Sequence, residues 1–82
     1  MNVIVFGSKD AMRIAADNQV LAELVEYLVQ RNGLLDLEEI NKDHQALEWL
    51  RRLRCSRNMD TGHFDRLLKL AIIQARNELV QP

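Results

Sequence analysis

DTGHFDRLLKLAIIQARNELV, residues 60–80, is the segment around which we expect this 82-residue chain to fold. Its apolar side chains recur at steps of three and four, so a helix with 3.6 residues per turn gathers them on one face. Asp60 and Thr61 stand just before the run, where side-chain oxygens can accept hydrogen bonds from the first backbone N–H groups of a helix. We therefore predict a closing helix from Asp60 to about Val80. Its predicted buried face comprises Phe64, Leu67, Leu68, Ala71, Ile72, Ala75 and Leu79.

A helix with such a face is not stable alone in water, so the rest of the chain is expected to cover it. Residues 9–31 carry the next helical signal, and Asn32-Gly33 is typical of a helix end. Asp17-Asn18 interrupts the pattern, because both residue types favour caps and turns. The region is read as either one helix or two. Its apolar stripe comprises Leu21, Leu24, Val25, Leu28 and Val29.

Asp36-Leu-Glu-Glu39 predicts the start of a third helix. The spacing is that of a capping box in which aspartate replaces the usual serine. The apolar side of this helix is broad, which indicates either contact with two neighbours or a break near residues 41–43. Its predicted members are Leu37, Ile40, Leu47, Leu50 and Leu53.

The N-terminal segment Asn2-Val3-Ile4-Val5-Phe6 is β-branched and aromatic and precedes Gly7-Ser8, which predicts a short strand or extended arm. A lone strand needs backbone partners from a symmetry-related copy, from the helices or from another protein. We therefore predict a dimer or partner interface formed by Val3, Ile4, Val5, Phe6 and Trp49. The predicted fold is all-α, with three or four antiparallel helices and this arm, in a single domain spanning residues 1–82.

Chain length and cysteine content indicate how the domain is stabilised. A chain this short removes only about 60 to 65% of its unfolded surface from water on folding, so disulfides, a metal or a partner subunit are commonly needed. Cys55 is the single cysteine, which excludes an internal disulfide and favours a cytoplasmic protein. His44, Cys55 and His63 match no standard zinc-ligand spacing. We expect a homodimer without metal or cofactor, and the apolar runs are too short to span a membrane.

The charge distribution suggests a candidate binding site. Residues 1–50 contain four basic and nine acidic residues, whereas residues 51–82 contain seven basic and three acidic ones. Four arginines within two helical turns could bind the phosphates of nucleic acid, or could pair with the acidic half of this chain or of a neighbouring copy. These residues are Arg51, Arg52, Arg54 and Arg57.

LVEYLVQRNGLLDLEEI, residues 24–40, resembles the opening two helices of winged-helix regulators, in which a short glycine-bearing turn precedes an L-x-x-E-E-I helix. The resemblance implies that residues 45–57 form a DNA-recognition helix with Gln45, Arg51 and Arg52 as candidate groove contacts. Two features depart from that family. The linker after Ile40 is short, and the closing segment is helical where wing strands are expected.

No catalytic set of residues is indicated. Ser8 and Ser56 are the only serines, and three glycines leave little material for a catalytic loop. The acidic residues near Asp36 suit first-turn capping. We therefore predict a non-enzymatic regulatory or adaptor protein that acts through protein–protein interaction, with itself and a larger protein as partners and no small-molecule substrate. The alternative is a DNA- or RNA-binding transcriptional regulator that uses the arginines of residues 51–57.

Overall fold

The computed structural model describes the backbone of residues 3–31 and 34–80 and the side chains of residues 12–31 and 34–80. Within these ranges the chain forms the helices α1 (Val3–Gln30), α2 (Leu37–Lys42), α3 (His44–Ser56) and α4 (Thr61–Val80), and no strand. The predicted all-α class is confirmed.

Helix α3 runs back along α1, as expected for an antiparallel pair. Arg31, just after α1, forms an ion pair with Asp43 at the start of α3, with Nη2 and Oδ2 2.8 Å apart. Arg57, just after α3, pairs with Glu23 in the middle of α1 at 2.8 Å. Glu23 belongs to the acidic half of the chain, residues 1–50, and Arg57 to the basic half, residues 51–82. The Arg57–Glu23 ion pair therefore connects the two halves.

Helix α4 runs antiparallel to α3 and therefore parallel to α1. His63 in its first turn has Nε2 3.0 Å from Oδ1 of Asp17, in the middle of α1. Near its other end, Arg76 Nε donates to the carbonyl oxygen of Leu35, which follows α1, at 2.6 Å. The three longer helices are arranged up, down and up, and the closest helix pair is α1 with α4.

The hydrophobic core lies between α1 and α4 and is covered by α2 and α3. Ala71 and Ala75 of α4 are completely buried. An alanine has no side chain beyond Cβ, so the backbone of a neighbouring helix can approach closely at these positions. The buried residues are Val20, Leu24, Val25, Leu28, Leu34, Ile40, Ala46, Leu50, Phe64, Leu67, Leu68, Ala71, Ile72 and Ala75.

Two helix starts follow the predicted chemistry. Asp36 Oδ1 accepts a hydrogen bond from the backbone N–H of Glu39 at 2.8 Å and so caps α2. Asp60 Oδ2 accepts from the N–H groups of Gly62 and His63 at 3.1 and 3.3 Å and caps α4. Both confirm that short polar side chains ahead of an apolar run mark where a helix begins.

The break allowed near residues 41–43 occurs at Asp43. Its extended backbone ends α2, and its N–H donates to the carbonyl oxygen of Ile40 at 3.1 Å. Its Oδ1 accepts from the N–H of Ala46 at 2.9 Å and so begins α3. Since Asp43 also pairs with Arg31, this one side chain connects the end of α1 with the turn between α2 and α3.

The N-terminal strand is not observed. Val3–Phe6 forms the first residues of α1, so the extended arm predicted there is wrong over residues 3–6. A helix pairs most of its backbone N–H and C=O groups within itself, whereas a lone strand leaves them without partners. The side chains of the predicted interface residues Val3, Ile4, Val5 and Phe6 lie outside the described part of the structure.

Residues 9–30 belong to one helix rather than two, because α1 continues through Asp17-Asn18. The Asp17 carboxylate contacts His63 of α4. It is thus occupied across the helix interface, where it does not compete for backbone hydrogen bonds of a new helix start. The end predicted at Asn32-Gly33 lies outside the described residues, and α1 ends at Gln30.

The fold is elongated and flat. The principal extents are 48 × 33 × 16 Å and the radius of gyration is 14.6 Å, compared with about 12 Å for a compact domain of this length. The small third dimension means that the helices form little more than a single layer. Much of their surface therefore faces solvent in the isolated chain.

Candidate interaction surfaces

Two of the four clustered arginines share one carboxylate on α3. Arg51 donates to Glu48 through Nη2 at 2.7 Å and through Nε at 3.2 Å, and Arg52 Nε donates to the same carboxylate at 3.1 Å. The hydrogen bond from Arg51 holds the pKa of Glu48 below its ordinary value, and Glu48 raises the pKa of Arg51. Together these three side chains carry one net positive charge on an exposed surface.

The other two arginines have different hydrogen-bond partners. Arg54 Nη1 donates to the carbonyl oxygen of Met59, in the turn before α4, at 3.4 Å. Arg57 is held by Glu23 on the α1 side of the fold. The predicted cluster is therefore divided between neighbours on both sides of α3, because residues 51 to 57 follow the helix through more than one full turn.

A groove of about 370 Å³ lies where α2 and α3 meet α4, and we call it the α3–α4 groove. Its floor includes the buried side chains of Leu50, Phe64 and Leu68. Leu37 and Leu47 also line it and are 37% and 38% exposed. Both leucines were predicted to be buried. They lie instead at the edge of the broad apolar side of residues 37–53, where they line the groove.

Cationic side chains surround this apolar floor. Arg51 and Arg54 line the groove from α3, and Lys69 lines it from α4. Among the described residues that line the groove, Asp65 contributes the opposing negative charge. Lys69 lies 15 to 18 positions from the two arginines along the chain, so their common position depends on how α3 packs against α4.

A second groove, of about 420 Å³, lies beside the turn between α3 and α4. Its ionisable lining residues are Arg13, Asp17, Arg57, Asp60 and His63. Most of these groups already have partners, because Asp17 contacts His63, Asp60 caps α4 and Arg57 binds Glu23. These side chains therefore stabilise the packing of α1 against α3 and α4 and the start of α4. The sequence carried no signal for the Asp17–His63 contact.

The outer face of α4 carries a further apolar surface. Leu70 and Ile73 are 49% and 54% exposed, and Val80 is exposed about two turns after Ile73. At 100° per residue they lie opposite the buried face that contains Phe64, Leu68 and Ala71. We call Leu70, Ile73 and Val80 the outer stripe of α4.

Trp49, a predicted interface residue, packs within its own chain. Its ring stacks on that of Tyr27 with centroids 3.9 Å apart and planes 4° from parallel. The Arg31 guanidinium lies 5.7 Å from the Tyr27 ring centroid. Trp49 is half-buried, and the stack holds α3 against the last turns of α1. Its predicted role in an interface stays a prediction.

Neither a metal-binding group of side chains nor a membrane-spanning helix occurs among the described residues. Across residues 12–31 and 34–80, no group of three histidine, cysteine, aspartate or glutamate side chains is placed to hold a metal ion. Over the same part of the chain, no helix is long and apolar enough to cross a membrane.

Comparisons with protein-family models, with curated proteins and with solved structures found no match for this chain. The winged-helix resemblance receives no support beyond the helix at residues 44–56, since α4 follows where that family has strands. The groove, the outer stripe and the charged side chains described above are the basis for any functional assignment.

Proposed function

We propose that this chain is a small, non-enzymatic regulatory or adaptor protein that acts through protein–protein interaction and assembles as a homodimer. The observation that supports this most directly is its exposed area of 6203 Å², roughly 1,200 Å² more than a compact monomer of this mass exposes. A standard protein interface buries about 800 Å² on each partner. The excess is thus large enough to supply one such surface.

The outer stripe of α4 is the surface we assign to the homodimer. Its exposed leucine and isoleucine lie on one straight helix face, so a two-fold axis can bring the same residues of two copies together. Apolar side chains at the centre of an interface gain most from the removal of water. The predicted contribution of residues 3–6 to this assembly remains a separate proposal.

Light scattering of the purified chain tests the homodimer. We expect twice the 9.5 kDa chain mass for the natural sequence, and the monomer mass for Leu70→Glu, because the introduced carboxylate loses its hydration at the interface. Gln45→Glu, on the exposed surface of α3 and outside the outer stripe, is the matched control and should leave the dimer intact. A monomer mass for the natural sequence at high protein concentration contradicts this assignment.

The alternative function, a DNA- or RNA-binding regulator, is favoured by the exposure of Arg51 and Arg52 on α3. It predicts that a labelled DNA duplex or RNA binds at low salt, that binding weakens as salt rises, and that Arg52→Glu with Arg54→Glu weakens it further. Fluorescence anisotropy measures all three. Absence of binding at low salt excludes this function, and salt-dependent binding comparable with that of known regulators would replace our first proposal.

A further inference from the structure

We propose that the α3–α4 groove binds an amphipathic helix of a partner protein, one that carries acidic residues beside its apolar stripe. The inference rests on the proposed function in protein–protein interaction and adds the chemistry of the partner. It can be tested separately from the homodimer, because the groove and the outer stripe have no residue in common; Lys69 of the groove rim lies next to the stripe.

The apolar floor is suited to the side chains of such a helix. Leu37 and Leu47 present partly exposed surface above the buried Phe64 and Leu50. The volume of about 370 Å³ is within the range of ligand pockets, about 300 to 1,000 Å³. A leucine or phenylalanine that enters the groove would complete the burial of side chains that this chain covers only in part.

The helices that form the walls of the groove determine which type of peptide can bind there. The groove is bounded by helices α2, α3 and α4, and the described residues offer no sheet edge to which a strand could add. An amphipathic helix that lays its apolar face into a hydrophobic groove satisfies its own backbone hydrogen bonds, so it needs only side-chain complementarity. A helical ligand is therefore favoured over an extended one.

The rim determines the charge of the ligand. Arg51, Arg54 and Lys69 surround the groove against the carboxylate of Asp65 among the described lining residues, and the rim remains positive when the Glu48 carboxylate that pairs with Arg51 is included. Glutamate or aspartate beside the apolar stripe of a partner helix would face these cations, which steers association and rejects basic helices. A second copy of α4 fits less well, since Arg66 and Lys69 flank its outer stripe and would face the same cations.

Nucleic acid is a poorer occupant of this groove. Most protein contacts to DNA go to phosphate and sugar, which require cationic or polar donors along the surface. Here the cations lie at the rim and leucine and phenylalanine form the floor.

Binding of two designed peptides tests the proposal. The first is a fluorescein-labelled helix of about 16 residues with leucine at positions i, i+3, i+4 and i+7 and glutamate at the flanking positions. The second has lysine in place of every glutamate. Fluorescence anisotropy should show at least about tenfold tighter binding of the acidic peptide, because each rim cation changes from attraction to repulsion. Equal affinity for the two peptides, or binding of neither, overturns the proposal.

Variants locate the binding site. Leu47→Glu places a carboxylate on the groove floor and should weaken binding of the acidic peptide at least about tenfold. Lys69→Glu, on the exposed rim, should weaken it about three- to tenfold while leaving the fold intact. Leu70→Glu is the matched control, since it changes a similarly exposed leucine outside the groove and should bind the peptide as the natural sequence does. If the folded Leu47→Glu and Lys69→Glu variants each bind the acidic peptide as tightly as the natural sequence does, the assigned site is wrong.

The same samples separate this proposal from the homodimer and from nucleic-acid binding. If the chain is a dimer and does not bind the acidic peptide, only the groove proposal is refuted. If the chain is a monomer and binds the peptide, only the homodimer is refuted. A DNA duplex that binds and displaces the acidic peptide, with loss of both interactions in Lys69→Glu, assigns the rim to nucleic acid and overturns the proposal.

Discussion

Replacing Leu24 by alanine is expected to lower the free energy of unfolding by about 2 to 5 kcal/mol. Leu24 has no exposed surface and lies in the middle of the α1 stripe, between the buried Val20 and Leu28. Truncation removes three carbon atoms and leaves a cavity between α1 and α4, which are too closely packed to collapse fully around it. Since a domain of this length has only about 4 to 12 kcal/mol of stability, the loss is a large fraction of the total.

Urea denaturation followed by far-ultraviolet circular dichroism measures this loss. Met12→Ala on the same helix is the control, because Met12 is 73% exposed and its truncation should change the free energy of unfolding by less than about 0.5 kcal/mol. Similar stabilities of Leu24→Ala and the natural sequence would show that α1 does not pack on α4 at this position.

Replacing Asp43 by alanine is expected to lower the melting temperature by about 5 to 10 °C. The change removes the cap that accepts from Ala46 N–H and the ion pair with Arg31 together. Asp43→Asn separates the two contributions, because asparagine caps a helix about as well as aspartate but carries no charge. We expect Asp43→Asn to lose less than half as much, and equal losses would contradict the capping role.

The contribution of Asp43 should also depend on pH. The hydrogen bond from the backbone N–H of Ala46, together with the charge of Arg31, lowers the pKa of Asp43 in the folded chain. A carboxyl whose pKa is lower folded than unfolded stabilises the fold above the ordinary value of about 3.9 and loses that effect as pH falls through the folded value. The difference in melting temperature between natural Asp43 and Asp43→Asn should therefore be present at neutral pH and shrink in acid.

The closing helix was predictable because its signals are local. Asp60 caps α4, and the buried residues from Phe64 to Ala75 follow the apolar periodicity. Leu79 is the exception, since it is 38% exposed. It lies in the last turn of α4, close to the end of the described chain.

The N-terminal segment was read wrongly because β-branched residues favour strands only when other strands are present to pair with them. In α1 the same residues are the first turns of a 28-residue helix. Each residue that extends an existing helix adds a backbone hydrogen bond, whereas the local preference of a β-branched residue amounts to fractions of a kcal/mol.

The clustered arginines and the α3–α4 groove depend on contacts between helices that the sequence alone did not reveal. The spacing of Arg51, Arg52, Arg54 and Arg57 suggested one basic patch. In the structure Arg51 and Arg54 line the α3–α4 groove, whereas Arg52 pairs with Glu48 and Arg57 with Glu23. The α3–α4 groove joins Leu37 and Leu47 to Lys69, and the sequence alone did not relate the lysine to the leucines.

Helix starts and the centres of the apolar faces depend on hydrogen bonds and side-chain spacing within one or two turns, so the order of residues specifies them, whereas the edges of those faces at Leu37, Leu47 and Leu79 depend on packing. The partners of Arg57 and His63 lie 34 and 46 positions away and are brought near only when three helices pack. Contacts at that separation depend on crossing geometry and on which apolar faces meet. No local periodicity encodes these, so the groove and the outer stripe of α4 became visible only in the folded chain.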